Sequence, residues 1–353
     1  MPIIDSSEFQ NVALAISAYA QERWTGERLI NSTGLVTGSS AIDTSGENYI
    51  GQMRWHKPIA AVVNNGTLVD PTDGNYTPLA SDIASYIKAL RAIGANQLNM
   101  QEIISRVDGL ALFADQFARE RAVDENNAIL SVLRGVAARE AAYGEGIVDF
   151  DTLAGATTGA FVDLNAEGAF GLEATGAADA RRLVDEGDVG AKQGQRIFKA
   201  MGMFWKDYEP DYAYILTTPE TLADFRAANL VDEDRITDGN IQFQTLFGGK
   251  FRIILTRSSQ GNFSASANVN DQSTKTTFIV KAEAIAFHPI AVPVPTEVDR
   301  DAAAYQGGGT TNLWYRYGFV AHPMGYDWAG PQTAFATNAA LATGTNWTRK
   351  FDP

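Results

Sequence analysis

The sequence predicts an α+β chain, on three observations. A proline-free helical pattern runs from Leu110 to Gly144. A strand, a short helix, a glycine turn and a second strand follow one another from Asp211 to Leu255. Between Asn31 and Pro78 the chain breaks into short strands separated by Gly, Ser, Thr and Asn. At 353 residues it exceeds the size at which a single hydrophobic core stops growing, so two compact units or one elongated shape are expected.

The long helix is taken first because the rest is organised around it. Leu110, Phe113 and Phe117 recur at helical spacing near its start, and Ile129, Leu133 and Val136 do so near its end. Arg119, Glu120, Arg121, Asp124 and Glu125 crowd the turns between. This pattern predicts a helix buried at both ends and wetted in the middle. From Leu110 to Gly135 it spans about 39 Å at 1.5 Å per residue, although any long helix crossing a sheet reads the same way.

Bulk composition narrows the function classes. Hydrophobic residues make up 45% of the chain and charged residues 20%, which is the composition of folded protein. The excess of 42 acidic over 28 basic residues gives a formal charge of -14, so any contact with nucleic acid is expected to be weak. With no cysteine, disulfides, thiolate metal sites and cysteine nucleophiles are excluded. The N-terminus lacks the pattern of a signal peptide and no run approaches a membrane span, so a cytoplasmic site of synthesis and no membrane partner are expected.

In chain order, Ser6, Ser7 and Glu8 offer capping groups before Phe9, Val12, Ile16 and Tyr19, the stripe of a short amphipathic helix. Tyr49–Trp55 and Ile59–Val63 read as strands, with Asn65-Gly66 as a hairpin turn. A stretch of this length with little core of its own predicts an extended hairpin arm, or else a strand pair covering a main sheet. Leu79–Leu90 reads as a short helix. Glu145–Gly190 holds ten acids and two arginines, a net of -8, and reads as a solvated connector; DEGD at Asp185–Asp188 is too short for a calcium loop. Gln193–Phe204 reads as a helix, Asp211–Pro219 as a buried strand entering the helix ETLADFRAANL, and Phe247-Gly248-Gly249-Lys250 as the turn into strand Phe251–Leu255. Phe278–Val280, Ala284–Phe287 and Trp314–Val320 read as strands, and the tail from Pro331 to Pro353 shows little amphipathic pattern.

Catalytic chemistry finds few carriers. His56, His288 and His322 are the only histidines, and a metal site of His288, His322 and Asp327 has no supporting spacing. Gly248-Gly249-Lys250 lacks the remainder of a phosphate loop, and no hydrolase elbow, zinc-protease or dinucleotide motif is present. The expectation is a non-enzyme with no cofactor and no metal.

The order of features resembles the major capsid protein of a tailed bacteriophage with the Hong Kong 97 fold. An arm, a long helix, a "strand, TTPE helix, glycine turn, FRIILTRS strand" unit and a closing YRYGFVAHPMGYDWAG carry the likeness, which covers Phe9 to Gly330. The closing motif, with His322, Pro323, Gly325 and Trp328, is its most telling piece. The resemblance implies an N-terminal arm over 1–30, an E-loop over 31–78, a peripheral domain over 79–190 and 277–335, an axial domain over 191–276 and a C-terminal tail over 336–353. The long helix would be the spine helix, and its Arg119, Arg121, Asp124 and Glu125 would face the capsid interior or an adjacent subunit. Ile50, Met53, Arg54, Trp55, Ile59 and Val62 of the E-loop would meet the neighbouring subunit's peripheral domain, the apolar ones among them becoming buried on assembly.

That resemblance further implies a virion protein, assembled in the host cytoplasm as hexamers and pentamers into an icosahedral head that encloses double-stranded DNA. The thirty residues ahead of the arm are too few for a fused scaffolding segment, so a separate scaffolding protein and a portal are the expected partners. Lys57 reads as a surface charge without a covalent cross-link. An encapsulin-like compartment shares the fold and is the first alternative, and an unrelated metal-dependent enzyme using His288 and His322 is the second. Removing Gly34–Thr72 is expected to leave a foldable core that forms no closed shell.

Overall fold

The computed structural model describes residues 33–38, 42, 48–56, 81–98, 109–142, 212–217, 219–227, 229–238, 241–255, 278–301, 303 and 309–350. The terminal helix, the expected strand Ile59–Val63, the acidic connector and the helix Gln193–Phe204 lie outside them.

Helix α1, Gly109–Ala142, occupies the stretch the periodicity predicts. It lies on a five-stranded sheet built around β12, Thr310–Pro323. Strand β4, Ala89–Leu98, pairs antiparallel with β12 over Thr310–Phe319 along one edge. On the other edge β12 carries β10, Ile285–Ile290, and then β11, Thr296–Asp301, both antiparallel. Strand β1, Val36–Thr37, joins β10 in parallel. Alternation along β12 turns Leu313, Tyr315, Tyr317 and Phe319 into the core and leaves Trp314 outside.

A second five-stranded sheet runs in the order β6-β7-β8-β5-β9. Its members are β5 (Ala213–Thr217), β6 (Val231–Asp238), β7 (Ile241–Leu246), β8 (Phe251–Leu255) and β9 (Phe278–Lys281). All five residues of β5 are buried, as a central strand with β8 parallel on one side and β9 antiparallel on the other requires. Helix α2, Pro219–Ala227, follows β5 directly, as TTPE predicts. Because β9 is hydrogen-bonded to β5, the chain leaves this sheet only after Lys281. One core cluster runs through both layers, from Leu35, Leu130 and Leu133 to Tyr214, Leu216 and Phe278.

Two expectations are overturned. Leu79–Leu90 contains no helix among its described residues: Ser81–Ile87 is strand β3, paired antiparallel with β2, Ile50–His56, and Ala89 opens β4. Apolar residues at 83, 86, 87 and 90 satisfy helical spacing, but Ile83 and Leu90 are exposed while Ala84, Tyr86, Ile87 and Ala89 are buried. The middle of α1 is wetted only at Arg119 and Glu120. Arg121, Glu125, Asn126 and Ser131 are buried, because the sheet covers the helix on one side and the tail covers it on another.

The tail, finally, is not loose. Strand β13, Tyr326–Trp328, pairs with β14, Trp347–Arg349, and between them lies the short helix α3, Asn338–Leu341, capped by the Thr337 hydroxyl. Ala336, Leu341 and Trp347 are fully buried against α1. Gly135 makes that approach possible, since a Cβ there would overlap the Leu341 carbonyl and lie 2.6 Å from the Trp347 indole nitrogen.

Candidate functional site

The residues singled out from the sequence fall on the β2–β3 hairpin, helix α1 and the closing motif. In the arm, β2 and β3 pair from Ile50↔Ile87 to His56↔Ser81, so residues 57–80 join the two strands of one antiparallel hairpin. Its strands place side chains alternately on two faces. Met53 and Tyr86 turn inward and join Ile42, Ala84, Ala286 and Val320 in a small satellite core. Ile50 packs on the main core. Met53 and Ile50 are thus covered within the monomer, which corrects the expectation that they wait for a neighbour. Arg54 is exposed, with Ile83 exposed opposite it in the register. Trp55 occupies β2, and Ile59 and Val62 lie outside the described residues.

Removing Gly34–Thr72 would therefore take away more than an arm. Leu35, Ile42 and Met53 are buried at 0, 4 and 2% exposure, and β1 and β2 would be lost with them. That cut would damage the fold itself.

On the spine, Arg121 Nε donates to Glu125 Oε1 at 2.9 Å and Nη1 donates to the Tyr315 hydroxyl at 2.8 Å, while the guanidinium lies over the Tyr317 ring. The i,i+4 spacing brings the pair together, and both side chains are nearly fully buried. Asp124 accepts from the Tyr317 hydroxyl at 2.9 Å and from Asn338 Nδ2 at 3.0 Å, and pairs with Arg91 at 3.4 Å. Burial and the Asp124 carboxylate push the Tyr317 phenol well above its ordinary range. Three of the four charges expected to face outward instead join α1 to β4, β12 and the tail. Arg119 alone has the exposure expected of it, its side chain 62% exposed and paired to Asp115 one turn earlier.

The closing motif gathers around Trp347. His322, wholly buried on β12, has its ring 6.0 Å from Trp347 and 6.4 Å from Tyr86. Burial pushes its imidazole down to about 4, against the opposing pull of the Tyr326 backbone and the Asp327 charge. Pro323 ends β12 opposite Ile285. Gly325 makes the turn into β13 at φ 88°, where a side chain would be strained, and its carbonyl accepts the Lys350 N–H at 3.0 Å. Trp328 meets Trp347 edge-to-face at 5.0 Å and donates to the Pro331 carbonyl. Trp347 itself, with Tyr86, Arg91, Tyr315, Tyr317 and Asn338, is absent from the sequence prediction. The one signal for Trp347 is a tryptophan in a tail whose other large apolar residues are only Phe335, Leu341 and Phe351.

Among the described residues no three of His, Asp and Glu cluster as metal ligands, and no helix is long and apolar enough to cross a membrane. Asp327, the third member of the imagined metal site, accepts from the Ser85 N–H and pairs with Lys350 at 3.3 Å.

Among the described residues the most exposed large aromatic lies on the outer face of the first sheet. Trp314, 44% exposed, is flanked by exposed Ala92, Gly94 and Glu297, and Arg316 binds Glu297 at 2.6 Å. Asp299 and Asp301 continue the same face as an acidic rim.

No family model matches the sequence, and no curated protein is significantly similar to it. Solved structures do match. The capsid of Ralstonia phage GP4 is similar at 10% identity over 82% of this chain and 82% of that one, with a TM-score of 0.50. The mature capsid asymmetric unit of bacteriophage PhiM1 aligns at 12% identity over 82% and 83%, with a TM-score of 0.48. The capsid asymmetric unit of cyanophage Pam1 aligns at 12% identity over 85% and 87%, with a TM-score of 0.45. The chain has the α+β, Hong Kong 97-like fold of a phage capsid protein.

Proposed function

We propose that this chain is a shell subunit: a major capsid protein that assembles as hexamers and pentamers into an icosahedral phage head around double-stranded DNA. The observation that carries the reading is the likeness to a phage capsid over 82% of both chains. A structural role without catalysis fits the side chains above, whose polar groups are spent on holding elements together. In this reading α1 is the spine of a peripheral domain, the sheet of β5–β9 belongs to the axial domain, and residues 57–80 form the tip of an arm that reaches a neighbouring subunit. The Trp314 face is an apolar surface of the sort a second subunit would cover. Packaged DNA touches the shell weakly because the chain carries a formal charge of -14.

Electron microscopy of the expressed protein tests this. Closed shells from the wild-type chain are expected, and replacing residues 58–79 by a short Gly-Ser linker should leave a folded subunit that forms none. Normal shells from the linker variant would overturn the role of the arm, and a wild-type protein that stays monomeric with scaffolding protein present would overturn the capsid reading. Shells filled with protein instead of nucleic acid would replace it by the encapsulin-like alternative.

A further inference from the structure

The stretch after the HPMGYDW turn is the least patterned part of the sequence, yet it touches the stem of the arm at three points. At the first, the N–H of Ser85, midway along β3, is turned away from β2 and donates to Asp327 Oδ1 of β13. The other Asp327 oxygen pairs with Lys350 at the far end of the same hook. At the second, Phe335 meets Tyr49 edge-on at 4.8 Å, just before β2 begins. At the third, the Ala336 N–H donates to the Lys88 carbonyl at 3.1 Å, at the junction of β3 and β4, while Arg91 binds the Ala336 carbonyl at 2.6 Å.

The same segment then runs to the spine. Asn338 is held between Arg91 and Asp124, and Leu341 and Trp347 seat against Gly135. We infer that residues 327–350 form a bracket that fixes the direction of the β2–β3 stem relative to α1, with Asp327 as its positioning residue on the stem. Among the described residues the stem's outer edge is met there by a side-chain carboxylate and not by a further strand, so the hook adds a second hold to the packing of Met53 and Tyr86 on Ala286 and Val320. The purpose of the bracket rests on the capsid reading, in which the stem's direction decides which neighbour the arm can reach.

Hydrogen exchange on the full-length, unassembled protein tests it. In Asp327→Ala/Phe335→Ala, peptides covering 50–56 and 81–87 should exchange at least tenfold faster while those covering 129–136 are unchanged. Asp327→Asn, which keeps an acceptor for the Ser85 N–H, should recover most of the protection at 81–87. Phe335→Ala alone should accelerate 50–56 and spare 129–136; Phe335 is already 36% exposed, so this variant should fold even if the double variant does not. Equal acceleration at 129–136, or none in the stem, would overturn the inference. Exchange is read before assembly, so a wild-type chain that forms no shell counts against the capsid reading and leaves the bracket result standing.

Discussion

Gly135 lies inside a 34-residue helix, where replacing glycine by alanine ordinarily stabilises by about 1 kcal/mol. Here the sign should reverse. A Cβ at 135 would overlap the Leu341 carbonyl oxygen and lie 2.6 Å from Trp347 Nε1. Those atoms are the two partners of a buried hydrogen bond, 2.8 Å long, in which the indole N–H donates to the carbonyl. Relief requires the tail to lift. Losing that bond costs about 1 kcal/mol. Exposing a quarter of an indole of roughly 200 Å² costs a further 1 kcal/mol or so at about 25 cal/mol per Å². Overpacking of a dense core typically adds about 1 to 3 kcal/mol. Set against the propensity gain of about 1 kcal/mol, Gly135→Ala should destabilise the protein by about 2 to 4 kcal/mol. Urea unfolding of the unassembled protein measures this, and hydrogen exchange in residues 338–349 should show the tail loosening first. A variant as stable as the wild type, or more so, would refute the claim that the tail is seated on Gly135.

Glu125→Ala leaves Arg121 buried with its ion pair broken and should cost about 3 to 5 kcal/mol in urea unfolding, while Arg121→Met with Glu125→Leu should cost much less. Charge reversal at Arg119, by contrast, should leave the unfolding midpoint within about 0.5 kcal/mol of wild type and show its effect, if any, in shell yield. For His322 the folded imidazole titrates at about 4, below its ordinary 6.5, so the unfolded chain takes up the proton first. Its contribution is present above pH 6.5 and is lost as pH falls through about 4, roughly 3 kcal/mol in all. His322→Leu should flatten that part of the stability–pH profile between pH 6.5 and 4, and an unchanged slope there would show that other groups set it.

How far the sequence could be read depends on whether the deciding partner is near in the chain. Strand β5 is a continuous apolar run, and the TTPE start of α2 adjoins it, so both are visible locally. The segment 79–90 is not, because its apolar spacing fits either period. What decides it is pairing with β2 some thirty residues earlier and with β12 over two hundred residues later. The charged turn of α1 misleads for the same reason: Arg121 and Glu125 look solvated until Tyr315, 194 residues away from Arg121, lies against them. The closing motif was recognised as a string, but its reason, a shared packing around Trp347, depends on a residue nineteen positions beyond Trp328.

The position of those buried charges bears on how the spine keeps its place. The face of β12 turned toward α1 is a ladder of similar aromatic rings, Tyr315, Tyr317 and Phe319, spaced 5.8 and 6.3 Å apart, with Phe117 of the helix stacked on Tyr315 at 5.8 Å. The repeat is close to the ~5.4 Å pitch of a helix, so apolar packing alone would distinguish poorly between the observed register and one shifted by a turn. Hydroxyls break that degeneracy. Arg121 meets the Tyr315 oxygen and Asp124 the Tyr317 oxygen, and a slip of one rung would carry either Asp124 to Phe319 or Arg121 to Leu313, neither of which has a hydroxyl. Asp124 also holds Asn338, so the same residue that sets the helix on the sheet sets the tail on the helix. An all-apolar interface could be equally stable, since buried ion pairs contribute little net stability. It would lack this reference point. That reference explains why buried charge lies in the middle of the helix where the sequence pattern alone predicts solvent.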